Sequence, residues 1–158
     1  MKNRYFRTSI KHAADGIAYA VRAERNFRID TACAMYVVWF ASAYGLSRTE
    51  WAVILIAVGM VLFAELINTA LERAVDAFSE DYSEAAKNAK DSAAGAVLIC
   101  AFGASAAGIA VFFDAVRLRA AFDTIFASVP RLVIFAAITV FAVPFVFMSG
   151  KKKDDRKG

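Results

Sequence analysis

Four apolar stretches, Thr31–Leu46, Trp51–Leu71, Ser92–Phe113 and Leu132–Ser149, punctuate the chain, and most of the charges gather between them. A helix that crosses a bilayer needs about 20 residues, within a range near 17–25. The pattern therefore predicts four spans, the first drawing Ile29 and Asp30 into its inner end and the fourth bent by Pro144. Ahead of them, Phe6, Ile10, Ala14, Ile17 and Val21 recur at helical spacing, with Arg7, Lys11, Asp15 and Arg22 elsewhere around the same helix. That arrangement predicts an amphipathic helix over residues 6–23 lying in the membrane interface. A soluble helix packed on its own protein fits less well, because little soluble protein is there to receive it.

Composition strengthens the membrane assignment. The chain is 59% hydrophobic, against about 45–50% for soluble domains, and its mean hydropathy is +0.49. Two prolines, eight glycines and no long polar linker favour one compact helical unit. Charges throughout the first thirty residues argue against a secretory signal peptide. Cys33 and Cys100 lie in apolar segments without metal-ligand spacing and pack as small hydrophobes.

The net charge of +4 belongs to flanks that face anionic lipid. No basic soluble domain exists to bind nucleic acid. With four spans and the N-terminus inside, only Arg48, Arg117, Arg119 and Arg131 of the nineteen Lys and Arg fall outside. Retention of basic residues in the cytoplasm therefore predicts a multi-pass membrane protein with both termini cytoplasmic. The fold class that results is an all-α membrane protein. It comprises the interfacial helix, three core spans over residues 29–47, 51–77 and 92–113, and an additional C-terminal span. Residues 1–113 form the core unit, and 114–158 supply the extra helix and a basic tail.

The second stretch carries the chemistry. No charge occurs from Trp51 to Ala64, after which Glu65, Asn68, Glu72 and Asp76 follow. At about 100° per residue these four fall within roughly 80° of one another on a helix. A carboxylate at membrane depth is costly to insert and marks a functional site by default. If Trp51 sits at the outer interface, Glu65 lies about 21 Å further along. In a hydrocarbon layer about 30 Å thick, that leaves it roughly 9 Å inside the cytoplasmic boundary, where Glu72 and Asp76 emerge. A headgroup hydroxyl and a cytosolic phosphate donor can meet at that depth. Acids at the mouth suit Mg²⁺, which takes one or two carboxylates plus phosphate oxygens, and the deeper Glu65 suits a general base. Pairing with Arg73 or Arg28, merely to fix helix register, is the bland alternative, and four aligned polar positions outweigh it.

Two further segments fall on the same cytoplasmic side: Glu24-Arg25-Asn26-Phe27-Arg28-Ile29-Asp30, and Lys90-Asp91 ahead of the third span. Taken singly, Lys90 reads as a basic flank and Asp91 as an N-cap. Beside an acidic cluster they also suit phosphate binding. The P-loop pattern and the protein-kinase signatures are absent. His12, the sole histidine, reads as a polar-face residue.

Glu65-Leu-Ile-Asn68-Thr-Ala-Leu-Glu72-Arg-Ala-Val-Asp76, with the downstream Ala89-Lys90-Asp91 and Ala93-Ala94-Gly95-Ala96-Val97-Leu98, resembles the small integral-membrane lipid kinases of bacteria, the diacylglycerol kinase and undecaprenol kinase family. Residues 8–113 carry the resemblance, including the segment Glu24–Asp30. It implies a homotrimer with active sites shared between protomers, ATP–Mg²⁺ as donor and the primary hydroxyl of a membrane lipid alcohol as acceptor. It also implies Glu65 as the base, with Asn68 arranging the site, and Glu24 and Glu72 as metal ligands. Asp81, Lys90 and Asp91, with Glu24 and Glu72, would contact the nucleotide, and Asn26, Arg28 and Asp30 would lie along the lipid or phosphate path. His12 and Ser83 depart from the family's pattern, which has a tyrosine and a histidine there. The ERNFRI, ELINTA and AKDSAAGAVL stretches lean toward undecaprenol, with diacylglycerol, giving phosphatidic acid, as the alternative acceptor. A small ion or proton transporter is the competing class. It would repeat polar positions through several spans, whereas Ser92–Phe113 is uncharged.

Overall fold

In the computed structural model residues 2–78 and 83–148 are described, the side chains of 2–4 excepted, and they form six helices. These are α1 (Lys2–Ala23), α2 (Arg25–Tyr44), α3 (Arg48–Phe78), α4 (Glu84–Phe112), α5 (Ala115–Phe126) and α6 (Val129–Phe147). No strand occurs among the described residues. By length and composition α3, α4 and α6 can cross a membrane, and the chain is an all-α membrane protein. The helix α2 carries Arg25, Arg28 and Asp30 in its first two turns and is not among those three.

Local chemistry sets the helix ends. Gly45 adopts the left-handed conformation (φ 70°, ψ 47°) and stops α2 before the apolar stretch ends at Leu46. Two residues on, Ser47 and Glu50 form a reciprocal capping box at the start of α3: the Ser47 N–H donates to Glu50 Oε2 (2.7 Å) and the Glu50 N–H to Ser47 Oγ (3.3 Å). Ser83 caps α4 by accepting from the Ala86 N–H at 3.4 Å. The expected N-cap at Asp91 is therefore overturned, since α4 begins at Glu84 and Asp91 lies inside it. The helix α5, capped by Asp114 through the Val116 and Arg117 N–H groups, has no counterpart in the sequence reading. The fourth span starts three residues before its apolar run, at Val129, and continues past Pro144.

The helices α3 and α4 form the dominant pair, a hairpin packed along its length. The helix α2 packs on α3 and, on another side, on α5 and α6, while α1 packs on α2 and α3. Tyr44, 4% exposed, ties α2 to the end of α4 by donating its hydroxyl to the Phe112 carbonyl at 3.0 Å. At the same end Arg117 reaches Glu50 with both Nη atoms (2.7 and 3.1 Å) and lies 4.6 Å from the centre of the Tyr44 ring. No residue of α4 is buried, and Ile56, Phe63, Ile99, Phe102 and Ile109 are each more than half exposed. Apolar surface left open on this scale is covered by lipid or by another protein chain.

The turn at Gly45 gives the first prediction. A Cβ added there would meet no atom within 4 Å, so Gly45→Ala isolates the backbone penalty of the left-handed conformation. The variant should lose about 1 kcal/mol, read as a lowered thermal midpoint in detergent. An unchanged midpoint would show that this turn does not hold its conformation.

Candidate active site

After its charged first turn α3 is apolar from Trp51 to Ala64 and turns polar at Glu65, just past its midpoint, and α2 and α4 flank it at that level. A cavity of about 320 Å³ opens there. Its walls are Asn26, Ile29 and Asp30 from α2, Glu65, Asn68 and Glu72 from α3, and Ala94, Val97, Leu98 and Ala101 from α4. One side is therefore acidic and the opposite side is made of small and aliphatic groups.

The predicted stripe on α3 divides between two environments. Glu65 is 6% exposed, and Asn68 Nδ2 donates to Glu72 Oε1 at 3.0 Å, which orients the Glu72 carboxylate. Asn68 Oδ1 is buried without a hydrogen-bond partner. Asp30, Glu72 and Glu24 all lie close enough for their charges to act on Glu65, Asp30 most strongly. Asp76 lies outside the cavity, exposed, and pairs with Lys90 across the α3–α4 hairpin. The neighbouring Arg73 stacks over the Tyr19 ring of α1 at 5.2 Å, tying α1 to this end of the bundle.

The remaining predicted residues fall as follows. Glu24, half-buried, occupies the N-cap position of α2, in the elbow between α1 and α2, and does not itself line the cavity. Asn26 and Asp30 do line it. Arg28 does not: it is 3% exposed, and its guanidinium donates to the carbonyls of Val21 (3.0 Å), Arg22 (3.2 Å) and Met148 (2.9 Å). Lys90 and Asp91 lie on α4, on the Glu72 side but off the cavity walls. Asp81 lies outside the described residues.

The hydrophobic wall was missed in the sequence. Ala94, Val97, Leu98 and Ala101 recur at spacings of three and four, one face of a helix. That signal is present but hard to distinguish inside an apolar run where every position looks alike. Ile29, between Arg28 and Asp30, entered the sequence reading only as the inner end of the first span.

The donor set bears on a metal. Among the described residues no three His, Cys, Asp or Glu side chains form a group fit to hold an ion alone. Mg²⁺ does not require one, because it keeps water and substrate phosphate oxygens in its shell. A carboxylate already oriented by Asn68, a spare amide oxygen beside it and an excess of negative charge fit that mode of binding.

Comparisons with known proteins find relatives for most of the chain. The family model described as prokaryotic diacylglycerol kinase matches residues 11–112. An undecaprenol kinase of Bacillus subtilis is 38% identical over 110 residues, covering 70% of this chain and 89% of that protein. A diacylglycerol kinase of Synechocystis is 43% identical over 101 residues, which span 63% of this chain and 58% of the relative. A diacylglycerol kinase of Helicobacter pylori is 32% identical over 88 residues, or 56% and 69% of the two chains. No solved structure gives a significant match.

Proposed function

The chain belongs to the prokaryotic diacylglycerol kinase family and is an ATP-dependent lipid kinase of the membrane, and from that premise we propose that undecaprenol is its acceptor and the acidic cavity its active site. The observation that carries the site is the buried Glu65 facing an apolar α4 wall. Such a cavity admits a lipid alcohol sideways, with its tail against Ala94, Val97, Leu98 and Ala101 and its hydroxyl against the carboxylate. The acceptor rests on the near-complete span of the undecaprenol kinase relative and on the three sequence stretches named above. Diacylglycerol, the acceptor named for the other relatives, is the second reading.

Phosphoryl transfer asks little covalent chemistry of a protein and much positioning and charge neutralisation. Glu65 hydrogen-bonds the acceptor hydroxyl and takes its proton as the oxygen attacks the γ-phosphorus. The bond from that phosphorus to the bridging oxygen breaks, and ADP leaves. Glu72, oriented by Asn68, and Glu24 at the elbow hold Mg²⁺ with the phosphates; the ion neutralises phosphate charge when bound. Lys90, Asp91 and Asp81 bind the nucleotide, Lys90 exchanging Asp76 for a phosphate oxygen. Asn26 and Asp30 line the path of the lipid headgroup. The exposed Phe6, Ile10 and Ile17 on α1 support a seat for that helix in the cytoplasmic interface of the inner membrane. The Lys/Arg distribution favours both termini on that side, with α2 as a further span. The lack of any buried residue along α4 supports a homotrimer with sites completed between copies.

General-base assistance is worth about 10²–10⁴-fold. Glu65→Gln should lower kcat by roughly that factor while the protein stays folded and trimeric. Glu72→Gln should instead raise the Mg²⁺ concentration needed for half-maximal rate. A wild-type rate in the first variant removes Glu65 as base, and an unchanged metal titration in the second removes Glu72 as ligand. With ATP fixed, undecaprenol and diacylglycerol offered in parallel should show the higher kcat/KM for undecaprenol; the reverse order assigns the protein to the diacylglycerol branch.

A further inference from the structure

The family match ends at residue 112, yet the last helix returns to the segment that carries Glu24. It lies antiparallel along α2. At one end Arg131 donates to Ser42 Oγ (3.0 Å) and to the Ser42 carbonyl (3.2 Å). Midway the Tyr36 hydroxyl donates to Thr139 Oγ1 at 3.0 Å, and the Trp39 and Phe135 rings meet at 5.0 Å. At the other end the Arg25 guanidinium lies 5.5 Å from the centre of the Phe147 ring, and Arg28 Nη2 donates to the Met148 carbonyl.

Arg28 joins three chain segments. Its Nη1 donates to the Val21 and Arg22 carbonyls in the last turn of α1, its Cα belongs to the first turns of α2, and its Nη2 holds the residue that follows α6. Carbonyls at a helix C-terminus lack intrahelical donors and favour a nearby cation. A buried guanidinium, conversely, is costly to leave short of acceptors. The end of α6 and the elbow are therefore fixed to one another. Asn26 of the cavity wall stands between Arg25 and Arg28, and Glu24 precedes them. The positions that meet α6 (25, 28, 36, 39, 42) centre roughly 130° around α2 from the cavity positions 26, 29 and 30. The last helix therefore supports the cavity wall from behind and supplies none of its lining.

We infer that α6 is a positioning element for phosphoryl transfer, with Arg28 and the Arg25–Phe147 contact setting where the Glu24–Asp30 elbow meets α3. Arg28 is thus a positioning residue whose partner lies outside the family core. The inference rests on the proposed role of the elbow in holding ATP with its metal.

The test uses the full-length chain, with KM for ATP, kcat and thermal midpoint measured for Phe147→Ala, Phe147→Trp and Arg28→Lys. Phe147→Ala should raise KM roughly threefold with kcat and midpoint near wild type, and Phe147→Trp, which keeps a ring under Arg25, should restore it. Arg28→Lys, which cannot reproduce the three-carbonyl fork, should raise KM about tenfold or more. A lowered midpoint with unchanged KM in Phe147→Ala would reduce α6 to a stabilising appendage and overturn the inference, even if Arg28→Lys fails to fold. Glu24→Gln, run in parallel, keeps the two claims apart. A raised KM there with wild-type KM in Phe147→Ala removes α6 alone. A wild-type KM and metal requirement in Glu24→Gln removes the elbow's role itself.

Discussion

A carboxylate placed inside a membrane helix must be kept from hydrocarbon, and the arrangement around Glu65 meets that constraint. An unshielded ion at that depth costs several kcal/mol, so α3 cannot present Glu65 to lipid. It presents it between α2 and α4, where Asn26 and Asp30 on one side and the Asn68–Glu72 pair below make a polar enclosure. The enclosure is unbalanced. Asp30, Glu72 and Glu24 all act on Glu65, and Arg28, the cation buried nearby in the chain, is committed to backbone carbonyls.

The two ends of the bundle are fastened in different ways. Away from the cavity, Gly45, Tyr44, Glu50 and Arg117 form a knot of hydrogen bonds and ring contacts that joins α2, α3, α4 and α5. Near the cavity the described helices are joined by Arg73 on Tyr19, Lys90 on Asp76, and Arg28 on α1 and on the residue after α6. The segment beyond the family core reaches the bundle at this second end.

Much of this was legible in the chain because charge inside an apolar run is a loud signal. Glu65, Asn68 and Glu72 were identified by their spacing, and they share the cavity; Asp76 shared the spacing but emerges past the enclosure and pairs with Lys90. The α4 wall was not legible, since Ala94, Val97, Leu98 and Ala101 differ little from their apolar neighbours. Nor was α5, a short amphipathic helix whose Arg and Asp residues read as a loop between spans. Arg28 was assigned to a lipid or phosphate path by the family resemblance alone. One of its acceptors is the carbonyl of Met148, a contact across 120 positions that no local pattern encodes.

The central claim is most directly tested by chemical labelling of the buried acid. A membrane-soluble carbodiimide applied to the protein in membranes should modify Glu65 and abolish phosphate transfer, and a lipid alcohol acceptor should slow both events in parallel, as read by mass spectrometry of the α3 peptide. Modification of Glu65 without loss of transfer, or protection of activity with no adduct on that residue, would contradict the account.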